Sequence, residues 1–340
     1  MTTRRAIACM TPVRQLRTVP WLVAWIASAL LLLALPAGAQ TPARIAIIFP
    51  PDAAVSAIRL ASFKQGMREN GLLEGKHYVI DARYAEGNYE RFPAITDELL
   101  KRNPAVIIVS TITSALVAQR ATKTIPIVFA SLNDPVGSGV VASLARPGGN
   151  TTGLSNQSED AMAKYVELLH ETLPRATRIA VLINPANPSN PKLFEQVRAA
   201  AASLGITVRA FEAVSPTALD TAIGAIAQDR PDALLVVSDS MLFGAYERIS
   251  STALKSRIPA FGPGSEFVTA GSLIAYSASR LEMYRRTATY VKKILAGAKP
   301  ADLPVEQPTR FELAVNLKTA KQLNITIPYT VMLRATAVIE

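Results

Sequence analysis

From residue 41 onward, short runs of β-branched and other apolar residues alternate with longer stretches whose apolar positions recur every three to four residues. Runs at 44–49, 77–84, 105–110 and 125–130 read as strands; 56–70, closed by Gly71, 89–102, closed by Asn103-Pro104, and 113–122 read as helices. Strand and helix in strict succession predict a parallel sheet with helices on both faces. The turn Arg146-Pro147-Gly148-Gly149-Asn150 interrupts the rhythm, and a strand at 151–155 leads into a helix at 159–173. The alternation then restarts, with strands at 178–183, 207–214, 233–237 and 258–261 and helices at 191–204, 216–228 and 241–255. Ser215-Pro216 is a cap followed by proline at the first helical position, and Gly205 closes the helix before it. A strand at 272–276, a helix at 281–296 and a tail punctuated by Pro300, Pro304 and Pro308 follow, ending in 311–323 and a short helix.

The predicted fold is α/β, with two doubly wound parallel-sheet lobes joined by a hinge. Residues 40–152 plus about 277–305 form the first lobe, 153–276 the second, and the tail 306–340 returns to the second. Open sheets of this kind bind ligands beyond the carboxyl ends of their strands. Two lobes with those ends facing each other place a ligand between them, and closure on the hinge follows.

The first forty residues change the setting. Arg4, Arg5, Arg14 and Arg17 precede an uncharged stretch at 19–35 that ends in Pro36-Ala37-Gly38-Ala39-Gln40, which reads as a secretory signal over 1–39 with cleavage after Ala39. The apolar stretch is shorter than the ~20 residues of a spanning helix. Of 36 basic and 26 acidic residues, net +10, removal of those four arginines leaves 32 against 26, or +6. That mild excess has no Lys/Arg cluster interleaved with aromatics, so no nucleic-acid partner is expected. Cys9, the one cysteine, lies inside the signal, which excludes disulfides and thiolate metal sites from the mature chain. Gln40 stands where lipid attachment needs a cysteine. The expectation is a monomeric, freely soluble periplasmic protein with no cofactor.

The strand ends are small, polar or proline-rich. In the first lobe they are Phe49-Pro50-Pro51-Asp52, Ser110 through Ser114, and Ser131-Leu132-Asn133-Asp134-Pro135; in the second, Asn184 through Ser189, Ser238-Asp239-Ser240 and Gly262 through Glu266. Thr111, Thr113 and Ser114 sit at a helix start, where free N–H groups and the dipole favour a carboxylate, although helix capping alone also asks for such residues. Asp239 and Glu266 are candidates to receive an ammonium, with Asn184 beside them. Asp239 also fits a helix cap and Glu266 a solvated loop charge. Asp134 is a further candidate inside a turn signal. Phe49, Phe129, Phe243, Phe261 and Tyr276 are candidate ring contacts, Tyr276 foremost because it ends a strand; Tyr84 and Tyr89 flank a loop as a possible lip.

The stretch IPIVFASLNDPVGSGVVASLARPGGNTTGLS at 125–155 resembles the substrate-binding proteins of ABC transporters, in the group that includes tryptophan- and tyrosine-type binders. Matching segments include FKQGMRENGLLEGKHYVIDARYAEGNYERFPAITDELL, NPANP at 184–188, AYSASRLEMYRRTATYVKKILAGAKPADLPVEQPTRFEL and NLKTAKQLNITIP, so the likeness runs along nearly the whole mature chain. The resemblance implies a type I periplasmic binding fold, crossover strands between lobes, and capture of a small molecule for an ABC transporter permease in the membrane. It places Thr111, Thr113 and Ser114 near a ligand carboxylate and Asn184 and Asp239 near an amino group. Departures are Ser110-Thr111-Ile112-Thr113 where relatives show Ser-Gly-Thr, Ile183 where many have tryptophan, and Ser277 after the retained Tyr276.

Catalysis finds little support. His77 opens a strand and His170 lies within a helix; no nucleophile elbow, P-loop or dinucleotide fingerprint follows a strand, and only a carboxylate pair for a periplasmic hydrolase stays open. A regulator would need a DNA-reading segment before the first lobe, where the signal stands. A ligand sensor docking on a receptor is the remaining alternative to transport.

Overall fold

The computed structural model describes residues 41–340. The signal read at 1–39, with Cys9 and its arginines, lies outside the described residues. The strands are β1 (Ala43–Phe49), β2 (Tyr78–Tyr84), β3 (Val106–Val109), β4 (Ile127–Leu132), β5 (Thr151–Ser155), β6 (Arg178–Ile183), β7 (Thr207–Glu212), β8 (Ala233–Val236), β9 (Ala260–Gly262), β10 (Ile274–Ala278), β11 (Phe311–Asn316) and β12 (Ala337–Ile339). The helices are α1 (Ala53–Glu69), α2 (Phe92–Leu100), α3 (Ile112–Ala121), α4 (Ser158–Thr172), α5 (Asn190–Ala202), α6 (Pro216–Asp229), α7 (Ser240–Gly244), α8 (Tyr246–Lys255), α9 (Ser265–Thr269), α10 (Arg280–Leu295), α11 (Leu317–Leu323) and α12 (Tyr329–Arg334).

Two separate sheets organise them. The first is all parallel in the order β2-β1-β3-β4-β5, and the second runs β12-β11-β10-β9-β8-β6-β7. Alternate residues of the first sheet enter different apolar clusters: Ile45, Ile47, Val106, Ile108 and Val128 face one layer, and Ala46, Ile48, Ile107, Val109 and Ile127 the other. Burial on both faces is why these strands are apolar at nearly every position.

Strand order reverses between β1 and β3 in the first sheet and between β6 and β8 in the second. The segments after β3, β6 and β8 therefore stand at crevices where open sheets accept ligands. The chain passes between the lobes three times. It leaves the first sheet after β5, returns after β10 into α10, which packs on α1 and β4, and crosses again beyond Glu306, whose backbone pairs with β5. Ser155 N donates to Glu306 O at 2.9 Å and Glu306 N to Gly153 O at 3.1 Å.

One expectation needs correcting. The second sheet is mixed, because β11 runs antiparallel to β10 while β12 is parallel to β11. The cause is topological: after β10 the chain detours through α10 in the first lobe, so it re-enters the second sheet from the side where β10 ended and must run backwards. Two helix readings shift as well. The helix expected over 89–102 begins as a 3-10 turn, with α2 proper starting at Phe92 beside Pro93, which has no N–H to donate and suits a first turn. The one expected over 241–255 is split at Ala245 into α7 and α8.

The docking of α10 on α1 depends on Gly66, which is buried in mid-helix. A Cβ there would sit 2.0 Å from the backbone oxygen of Arg285 and 2.9 Å from Ala288 Cβ. Gly66→Ala is therefore expected to force the two helices apart and destabilise the protein by about 1–3 kcal/mol, despite alanine's better helix propensity. Thermal unfolding checks it; an unchanged or raised Tm would show that α10 can shift without loss.

Candidate functional site

Two adjoining cavities lie where the strand ends of the two lobes meet. Both are lined by Ser131, Asn156, Ser238 and Arg280. One extends over an apolar floor of Met162, Tyr165, Pro263, Tyr276, Ala278 and Phe311, and the other over Ser110, Thr111, Asn133, Asn187, Asp239 and Ser240. Each is ≈ 20 Å³, about the room for one water, so the lobes are drawn tightly together.

Asp239 caps α7 and is 2% exposed. Its Oδ1 accepts from the N–H groups of Met241 at 2.9 Å and Leu242 at 3.0 Å and from Asn184 Nδ2 at 3.3 Å. Oδ2 accepts from Asn187 Nδ2 at 2.9 Å and from the Tyr89 hydroxyl at 2.8 Å. Tyr89 follows β2, so this last bond joins the first lobe to the second. Burial, then the neighbouring carboxylate, pushes the Tyr89 phenol well above its usual range, which keeps it a donor.

Arg280 is the first residue of α10 and borders both cavities. Its Nη2 donates to Ser238 Oγ at 2.9 Å and its guanidinium lies 4.3 Å from the centroid of Phe243. Among the described residues no carboxylate comes within 4.0 Å of it. Burial, and then the positive charge of Arg59, push its pKa down to about 10, so it remains a cation at neutral pH. Arg59, 3% exposed, lies 4.6 Å from the centroid of the same ring. The first residues of α3, α4 and α10, namely Ile112, Ser158 and Arg280, all line the cavities, so three helix N-termini converge there. Asn133, 7% exposed, lines the same space with neither Nδ2 nor Oδ1 hydrogen-bonded.

The apolar floor is an aromatic cluster. Tyr276 stacks on Phe311, with centroids 5.3 Å apart at 17°, and meets Tyr165 edge-on at 6.2 Å. The Tyr165 hydroxyl is committed to Gly262 O and to the Tyr276 N–H.

Of the residues named from sequence, Thr111, Asp239 and Tyr276 border the cavities. Asn184 stands one step back, donating to Asp239 while its own Oδ1 accepts from Ala186 N at 3.0 Å. Thr111 and Ser114 form a reciprocal capping box at the start of α3, and Thr113 Oγ1 is buried without a partner away from both cavities. Asp134 is engaged by Lys192 Nζ at 2.6 Å and Gly137 N at 2.8 Å; burial raises its pKa, but these bonds outweigh that and leave it lowered. Glu266 also lies outside the cavity linings, where its charge acts on Arg59 and Arg280. Phe49, Phe129, Phe243 and Phe261 are core residues; Tyr84 stacks on Phe49 at 5.6 Å. Asn133 and Ser238 enter from the sequence only as members of the strand-end segments, while Arg280 and Asn156 stand outside the candidates, although a signal exists for Arg280. An arginine opening a helix sets positive charge against the positive end of the dipole, which calls for an anion nearby.

His77 Nδ1 accepts from Leu73 N at 2.9 Å and His170 lies within α4, both away from the cavities. Among the described residues no cluster of three or more His, Cys, Asp or Glu is placed to hold a metal ion, and no helix is long and apolar enough to cross a membrane.

Two α/β lobes meeting over a cleft of hydrogen-bonding groups, a cation with no carboxylate partner among the described residues and an aromatic floor define a solute-binding protein of the type I periplasmic class. The chain belongs to the ABC transporter substrate binding protein family, whose model matches residues 45–339. It is 24% identical over 263 residues to the tyrosine-binding protein of Clostridioides difficile, covering 77% of this chain and 75% of that one. A conserved domain protein from Vibrio cholerae superposes with a TM-score of 0.82 at 31% identity, over 88% of this chain and 100% of that one. The ABC domain in complex with L-Trp from Streptococcus pneumonia does so with 0.80 at 25% identity, over 88% and 100%. Proteins of this family bind small molecules for ABC transporters, outside the cytoplasm, and are binding proteins rather than enzymes.

The Tyr89–Asp239 bond is a buried polar tie between the lobes, beside the partly buried one from Arg280 to Ser238. Tyr89→Phe is expected to remove about 1.5–3 kcal/mol of stabilisation from the closed arrangement. Calorimetric unfolding together with small-angle scattering of the unliganded protein checks this; identical Tm and radius of gyration would show the hydroxyl to be idle.

Proposed function

We propose that this protein captures a small aromatic or amino-acid-like carboxylate between its lobes and delivers it to an ABC transporter permease. The observation that carries the reading is Arg280, a cation with no carboxylate partner among the described residues, set where three helix N-termini converge and beside an aromatic floor. A carboxylate supplies the missing negative charge and accepts bonds that are roughly twice as strong as neutral ones. Tyr276 and Phe311 offer a face for a flat apolar body. The relatives named for tyrosine and solved with L-Trp point to the same ligand chemistry.

A cavity of ≈ 20 Å³ in each half admits such a solute only when the lobes part. Binding therefore begins open and ends closed, and only contacts better made in the closed state shift that balance. The chain is read as exported through a signal cleaved after Ala39, without a lipid anchor because Gln40 follows the cut, and as a monomer that neither binds nucleic acid nor transforms its ligand.

Arg280→Gln keeps a flexible hydrogen-bonding side chain, shorter than arginine, and removes the charge. It is expected to weaken binding of L-tryptophan or L-tyrosine by about 1.5–3 kcal/mol while the circular dichroism spectrum stays unchanged. Isothermal titration decides; wild-type affinity in this variant would take Arg280 out of the site and the carboxylate reading with it.

A further inference from the structure

The two charged side chains that line the cavities are not equivalent, and the difference bears on which end of a zwitterion the protein recognises. Arg280 gives one hydrogen bond to protein, to Ser238, out of the five N–H donors of a guanidinium. Asp239 is at the opposite extreme. Five protein donors converge on its two oxygens, from Tyr89, Asn184, Asn187, Met241 and Leu242. A carboxylate has about four lone-pair sites, so Asp239 is already full.

We infer that the carboxylate of the ligand is obligatory for binding and its ammonium dispensable, so that deaminated acids bind about as well as the corresponding amino acids. This rests on the proposed function and specifies the chemistry of that site. An ammonium reaching Asp239 would have to displace a tyrosine hydroxyl, an asparagine amide or a helix N–H, and the displaced donor would lose its partner in a closed cleft. It would also share the cavities with Arg280 and with the N-termini of α3, α4 and α10, whose potential is positive. A carboxylate meets the reverse situation, because its donors are in place and unspent. Asn133, buried and unpaired at both amide atoms, offers two N–H donors and a carbonyl acceptor in the same space. It serves a hydroxyl or carbonyl next to the carboxylate as readily as an amine. Glu266, the other acid whose charge reaches Arg280, does not line the cavities and so does not replace Asp239 as an acceptor for the ammonium.

The test is isothermal titration of the purified full-length protein with three probes that share a ring: L-tryptophan, 3-(indol-3-yl)propanoate and L-tryptophanamide. A parallel set is built on tyrosine. The expected result is that the propanoate binds within about tenfold of the amino acid, while the amide, which keeps the ammonium and loses the carboxylate, binds roughly 30-fold more weakly or worse. A propanoate weaker than the amino acid by about a hundredfold or more overturns the inference and leaves solute capture standing. In Asp239→Asn, which retains the shape of the side chain, the ratio of the two acids' affinities is expected to stay constant; selective loss of the amino acid would assign the ammonium to Asp239 and overturn it independently. Native mass spectrometry of whatever co-purifies separates the two failures, since a bound solute without an anionic group removes the proposed function and this inference together.

Discussion

A carboxylate taken out of water must find its hydrogen bonds within the protein, and the closed arrangement is organised around meeting that demand at Asp239. Its partners come from both lobes, Tyr89 from the first and Asn184, Asn187 and the α7 backbone from the second. Parting the lobes breaks the Tyr89 bond and opens the carboxylate to solvent, which can replace the lost donor. The open form is thereby accessible without an orphaned charge, and the closed form is favoured by the bond regained. An interaction of this kind is reversible by construction, as a clamp requires.

The same arrangement divides labour between charges. Asp239 is spent on holding the cleft together, whereas Arg280 is held by Ser238 and the ring of Phe243 in a way that uses little of its hydrogen-bonding capacity. Contact with an aromatic face leaves the N–H edge of a guanidinium free while fixing its plane. Arg59 at the same ring adds positive charge to a region where the described residues provide no close counter-ion for Arg280. The lobes thus meet around two arginines that Glu266 acts on only from outside the cavity linings, with no carboxylate among the described residues in direct contact with Arg280.

Much of the fold was legible because strands buried on both faces leave unbroken apolar runs, and helices on the outside leave a period near 3.6. The direction of β11 was not, since it depends on where the chain has been rather than on what Phe311 to Asn316 are. The site was legible at the level of segments: Ser110 through Ser114, Ser131 through Asp134 and Ser238 through Ser240 each bring residues to the cavities. Within segments the choice of side chains was harder. Thr111, Ser114 and Asp239 are good caps and good ligand contacts by the same chemistry, and only the count of partners separates the roles. Arg280 follows a strand of the second sheet but belongs to a helix on the first lobe, so its place in the cleft is a tertiary fact.

The helix α10 also has a bearing on the order in which the lobes can be completed. One face of the first sheet, with Ile45, Ile47, Val106 and Ile108, is sealed partly by Met283, Tyr284, Ala288 and Val291 from that helix. Those residues are made only after five of the seven strands of the second sheet. A nascent chain therefore carries an unsealed apolar sheet through most of its translation, with contacts of high sequence separation still to form. Completion of the first lobe therefore waits on a helix encoded beyond most of the second, and a chain cut short before Arg280 would leave that sheet open on one face.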